Sequence, residues 1–235
     1  MRAPRPRRRS FRLPVLPLLP CLVPRLVPRL VPHLVPRLVL LLGVAAQASS
    51  ACAAVVEVQA SGSDAKALAE TVIFLESREA KAAARPLSGV EIEQDKRRFT
   101  RRITVVTAGT EVTFPNRDTV RHHVYSFSPA KNFELKLYAG KPANPVLFDK
   151  SGIAVLGCNI HDTMVAWVVV VETPHHGVAD ASGTVRLDNV PPGNYRLRSW
   201  HPGLPPGAAA SDEPLTVPAA GTSARVKLAV SSANL

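Results

Sequence analysis

From Val55 onward, apolar and β-branched residues come in short runs: residues 55–58, 71–75, 103–106, 111–114 and 124–127. Each run is too short for an amphipathic helix and predicts a strand. Residues 165–171 read VAWVVVV, a continuous apolar run that predicts a strand buried on both faces. Breakers separate the runs at Gly62, Pro86, Gly109, Pro115-Asn116, Pro129, Pro142, Gly152 and Pro174. Only residues 65–70 and 76–84 look helical, and both stretches are short. Many short strands with regular turn signals predict an all-β sandwich or barrel.

The pattern changes after residue 173. Strands are predicted at 184–187, 195–200, 216–217 and 224–230, with Val190-Pro191-Pro192-Gly193-Asn194 as a turn. This strand, Pro-Pro-Gly, strand order resembles the transthyretin-like regulatory module of carboxypeptidases. That module opens with a strand, a polar turn and a second strand. Residues 55–75 have that form, with Ser61-Gly62-Ser63-Asp64 as the turn. Residues 55–92 and 174–235 are therefore expected to build one small transthyretin-like sandwich, interrupted by a domain at 93–173. The alternative is one domain over 55–172 with a C-terminal β extension over 173–235.

Charge alters the picture mainly at the N-terminus. The formal net charge is +11, which invites a nucleic-acid reading. Nine of the 29 basic residues fall in residues 1–48, leaving 20 against 18 acidic ones. A near-neutral body lacks the broad basic stripe of a phosphate-binding protein. The runs Lys96-Arg97-Arg98 and Arg101-Arg102 read as a solvated face. Residues 1–48 read as an export signal: an arginine-rich start, Leu-Val-Pro-Arg repeats, an apolar stretch at 38–46 and a small-x-small site at Ala46-Gln47-Ala48. The apolar stretch is too short to span a bilayer. Arg8-Arg9 hints at a twin-arginine route, and Cys52 offers a weak lipid-anchoring site. The expected location is the periplasm, with no integral membrane span.

The chemistry lies in residues 158–164, Cys-Asn-Ile-His-Asp-Thr-Met. Met1 aside, Met164 is the chain's one methionine, and Cys158 is its one cysteine beyond Cys21 and Cys52. A lone thiol in an oxidising compartment needs burial or a metal to explain it. A short loop can aim a thiolate, an imidazole and a thioether at one point. Two histidines, one cysteine and a weak axial methionine are a blue-copper ligand set. The second histidine comes from residues 116–124, which hold His122 and His123. Alternation puts these two on opposite strand faces. Single-residue alternatives are a buried apolar cysteine and a satisfied core histidine. His175, His176 and His201 read as surface histidines, while Trp200, Tyr125 and Phe127 read as core.

Together these segments resemble the cupredoxins, the amicyanin- and plastocyanin-like type-1 copper proteins. In that family an Asn precedes the first ligand histidine by six residues, as Asn116 precedes His122. The Cys-x-x-His-x-x-Met loop has the short amicyanin length. Departures are His123 in a usual Asn position, Ala154 and Leu156 in place of aromatics, and Asp162 where relatives often have Pro. The resemblance extends to bacterial proteins labelled methylamine-utilisation or plastocyanin-like.

The resemblance implies a Greek-key β-sandwich with one copper per chain, held by His122, Cys158, His161 and Met164, with His123 as the alternative first ligand. It implies supporting roles for Asn116 and Asn159 around the thiolate. The expected function is one-electron transfer between redox partners, such as a periplasmic cytochrome or dehydrogenase, without an enzymatic reaction. Alternatives are a copper carrier or storage protein, and a β-sandwich binding module with an incidental metal. A Cys158–His161 hydrolytic dyad fits less well, because a Met follows on the same tight loop.

Overall fold

The computed structural model describes residues 53–231. The leader, its cleavage site and Cys52 lie outside the described residues.

The protein is all-β. Strands Thr184–Val190, Ala54–Ser61 and Thr222–Lys227 form one three-stranded sheet. A four-stranded sheet runs His176–Val178, Val72–Glu76, Gly193–Trp200, Glu213–Val217. Their facing sides close one apolar core, including Val56, Val58, Ile73, Leu75, Val185, Leu187, Leu197 and Val226. Every second residue of Ala54–Ser61 enters this core, the period-two signature of a half-buried strand.

A five-stranded sheet runs Ile103–Thr107, Ala166–Val171, Gly152–Cys158, His122–Ser128, Lys131–Tyr138. A three-stranded sheet of Val146–Phe148, Thr110–Thr113 and Val90–Glu91 accompanies it. Val112, Phe114, Val124, Phe148, Leu156, Val168, Cys158 and Met164 share a second core. The short hairpin Gln94–Asp95 with Arg98–Phe99 pairs with no strand of these sheets, but Phe99 packs in the second core and Gln94 Nε2 donates to the Tyr138 hydroxyl.

A third cluster explains the run at 165–171. Val168 and Val170 fill the second core, while Val169 and Val171 pack with Val72, Phe74 and Trp200 from the four-stranded sheet. Both faces of Ala166–Val171 are thus covered, which a continuous valine run requires. Trp167 and Trp200 meet in this seam at 6.4 Å between ring centroids.

Three sequence expectations need correction, at residues 65–70, His201 and Phe127. Residues 65–70 form turns instead of a helix, because Ala65 and Glu70 take left-handed backbone angles. The second stretch is helical over Arg78–Ala83, capped by Ser77 Oγ, which accepts from Ala80 N–H. His201 is buried, not on the surface: it follows Trp200 at the end of a strand, and its Nδ1 accepts from Gly203 N–H. Phe127 is 70% exposed. It shares the outer sheet face with half-buried Tyr125, because strand alternation gives the inner face to Val124 and Ser126.

Among the described residues, no helix is long and apolar enough to cross a membrane.

Candidate metal centre

Antiparallel pairing sets Cys158 opposite Val124 and Gly157 opposite Tyr125. His122 is two residues before Val124, so its side chain enters the same interior as Cys158. Pairing of His122–Ser128 with Lys131–Tyr138 shifts register between His122 and Val124, a bulge that bends the strand at the histidine. Both His122 and Cys158 are buried. His122 Nδ1 lies 3.7 Å from Cys158 Sγ.

After Cys158 the chain turns and brings back His161. Its ring meets that of His122 at 5.2 Å and 60°. One donor atom each from His122, Cys158 and His161 falls within 4.8 Å of the others. Met164 N–H donates to His161 carbonyl at 2.9 Å, closing the loop. Met164 itself is buried and packs in the same core as Cys158. His161 Nδ1 is buried without a hydrogen-bond partner. An orphaned nitrogen beside a buried thiol is costly unless something fills the site. The donor set is soft sulfur plus imidazole, which fits copper.

His123 takes the opposite face. Its ring stands 6.5 Å from Tyr125. Nε2 lies 2.7 Å from Glu134 Oε1, at an angle that leaves it without a hydrogen bond. Nδ1 is 3.4 Å from Asn159 Nδ2. Asn159 N–H donates to His123 carbonyl at 3.2 Å, so these two residues join the two loops. Asn116 holds the loop before His122. Its Nδ2 donates to the carbonyls of Val120 and Tyr138, and its N–H donates to Gly140 carbonyl.

Sequence reading gave Asp118 no role, yet its Oδ2 is 2.8 Å from His122 Nε2. The same carboxylate accepts from the N–H groups of Lys96 and Arg97 at 2.6 and 2.9 Å. Burial pushes its pKa up, but the Arg97 amide, His122 and the Lys96 amide outweigh that and hold it below the usual range. Asp118 N–H donates to Asn116 Oδ1. This Asx turn, Asn-x-Asp, was the signal available in the sequence. Nearby, burial pushes the Tyr138 phenol up to about 12, against a hydrogen bond from Gln94 Nε2.

Comparisons with known proteins add the following. No protein-family model matches the chain, and no curated protein sequence does. Solved structures do. A Cu(I) mutant of amicyanin matches with 21% identity and TM-score 0.32, over 42% of this chain and 98% of its own. A reduced amicyanin mutant matches at 23% and 0.32. A copper nitrite reductase from Thermus scotoductus SA-01 matches at 22% and 0.33, over 38% of this chain and 26% of its own.

Proposed function

We propose that the chain is an exported cupredoxin-type protein that holds one copper and passes single electrons between redox partners. The observation that carries this reading is the convergence of His122, Cys158 and His161 within 4.8 Å, with Met164 buried on the same loop. His122, Cys158, His161 and Met164 would hold the metal, which when bound supplies a one-electron Cu(I)/Cu(II) couple.

The chain's own residues have distinct parts. Asp118 fixes the His122 ring through Nε2 and leaves Nδ1 toward Cys158. Val124, Leu156 and Phe114 line the core behind the thiol and exclude water. The two strands carrying His122 and Cys158 are hydrogen-bonded neighbours, so these donors need little rearrangement. His161 is half-buried on the loop and gives the site its edge toward solvent.

The 93–173 and 55–92 plus 174–235 division is part of the same proposal. One core belongs to the strands around the donors, with Val90 and Ile92 joining it from just before residue 93, and the other to the strands flanking them in sequence.

The test is a redox titration of the copper-loaded chain. The expected result is one copper per chain and one reversible one-electron step. Rapid loss of copper to a chelator without such a step would support a carrier and contradict electron transfer.

A further inference from the structure

The basic run read as a solvated face is tied to the candidate centre. Gln94–Asp95 and Arg98–Phe99 form a hairpin whose two turn residues, Lys96 and Arg97, have φ of 52° and 56°. Positive φ at both positions is the type I′ turn, usually filled by Asn-Gly. Lys and Arg there are strained. Both turn amides donate to the carboxylate of Asp118, which holds His122. The hairpin tip is therefore hydrogen-bonded to a residue that fixes a donor.

The same tip carries unused charge. Lys96, Arg97, Arg98, Arg101 and Arg102 are all exposed. Arg102 pairs with Glu70 and stands over the Trp167 ring, and Lys96 reaches Asp95 only at 4.0 Å. Among the described residues, Arg97, Arg98 and Arg101 make no ion pair. Arg121, on the loop that Asp118 pins to the hairpin, makes none either. These free cations stand out against a body with nearly balanced charge. Clustered charge of one sign steers partners of the opposite sign.

We propose that this basic hairpin is a docking surface for an acidic protein redox partner, connected to the centre through Asp118 and His122. The proposal rests on the electron-transfer reading above. An anionic membrane is the less favoured occupant, because the hairpin's apolar residue, Phe99, is buried in the second core and offers no lipid anchor.

The test has two arms. In the first, a twelve-residue polyglutamate peptide is titrated into the metal-free full chain while backbone amide resonances are followed. The expected result is the largest shifts at residues 96–102 and 121, lost in the Arg97→Asn, Arg98→Gln, Arg101→Gln triple variant. Shifts confined to other segments would overturn the proposal. So would shifts of the hairpin with phosphatidylserine vesicles but not with the peptide. This arm needs no copper, so it stands or falls independently of the metal reading.

In the second arm, the reduced copper-loaded chain is oxidised by ferricyanide, an anion. The triple variant should react about tenfold more slowly at low ionic strength and equally fast at high salt. A control variant, Lys131→Gln, Lys136→Gln, Lys150→Gln, should be unchanged. Equal slowing in both variants would overturn the proposal, because net charge alone would then be acting.

Discussion

Asp118 Oδ2 lies 2.8 Å from Nε2 of His122, whose other ring nitrogen lies 3.7 Å from Cys158 Sγ. One imidazole thus bridges a carboxylate and a buried thiol. A carboxylate behind a ligating histidine fixes its tautomer and raises its basicity. Asp118→Ala is expected to weaken copper binding by about 10–100-fold, measured by competition with a chelator. Unchanged affinity would show that the carboxylate serves only the hairpin.

The two adjacent histidines should behave differently. His122 is buried and shares the interior with Cys158, while His123 faces Tyr125 and Glu134. His122→Ala should abolish the blue colour of the copper-loaded chain. His123→Ala should keep it, since the ring belongs to the other sheet face. The reverse pattern would reassign the first ligand.

Much of the site was legible because it sits in local patterns. Cys158, His161 and Met164 lie on one loop, and strand alternation sets His122 and His123 on opposite faces without saying which one meets the thiol; the six-residue spacing from Asn116 pointed to His122. Asp118 was less legible, because its importance depends on the amides of Lys96 and Arg97, more than twenty residues away. The strand Lys131–Tyr138 was also missed, although Phe133 and Leu135 alternate with polar residues. His201 was misread because its burial depends on packing at the end of a strand. The valine run at 165–171 was read as doubly buried, but nothing local reveals that Phe74 and Trp200 cover its outer face.

That seam gives a stability prediction. Trp200 packs with Phe74, Val72, Val169 and Val171. Trp200→Ala should cost about 3–5 kcal/mol, seen as a lower denaturant midpoint. A loss below about 1 kcal/mol would mean that the seam contributes little to folding.

Acid should destabilise the fold through buried His201 and half-buried His175 and His176. Burial lowers the pKa of His175, His176 and His201, with positive charge on His175 adding at His176 and the Ala69 carbonyl and Glu70 opposing at His201. Unfolded histidine takes up protons near pH 6.5 (about the model-peptide value). Below that pH the unfolded chain binds more protons than the folded one. Stability is therefore fully present above about pH 6.5 and is lost as pH falls through the lower folded values. Denaturant midpoints between pH 8 and 5 should show this loss, and His201→Gln should reduce it. An unchanged slope in the variant would remove His201 from the account.

The most direct test of the central claim is the visible spectrum of the chain loaded with Cu(II). A thiolate from Cys158 bound with His122 and His161 predicts an intense charge-transfer band that disappears in Cys158→Ser and persists in Met164→Leu. A colourless copper-loaded chain, or a band that survives Cys158→Ser, would contradict the account.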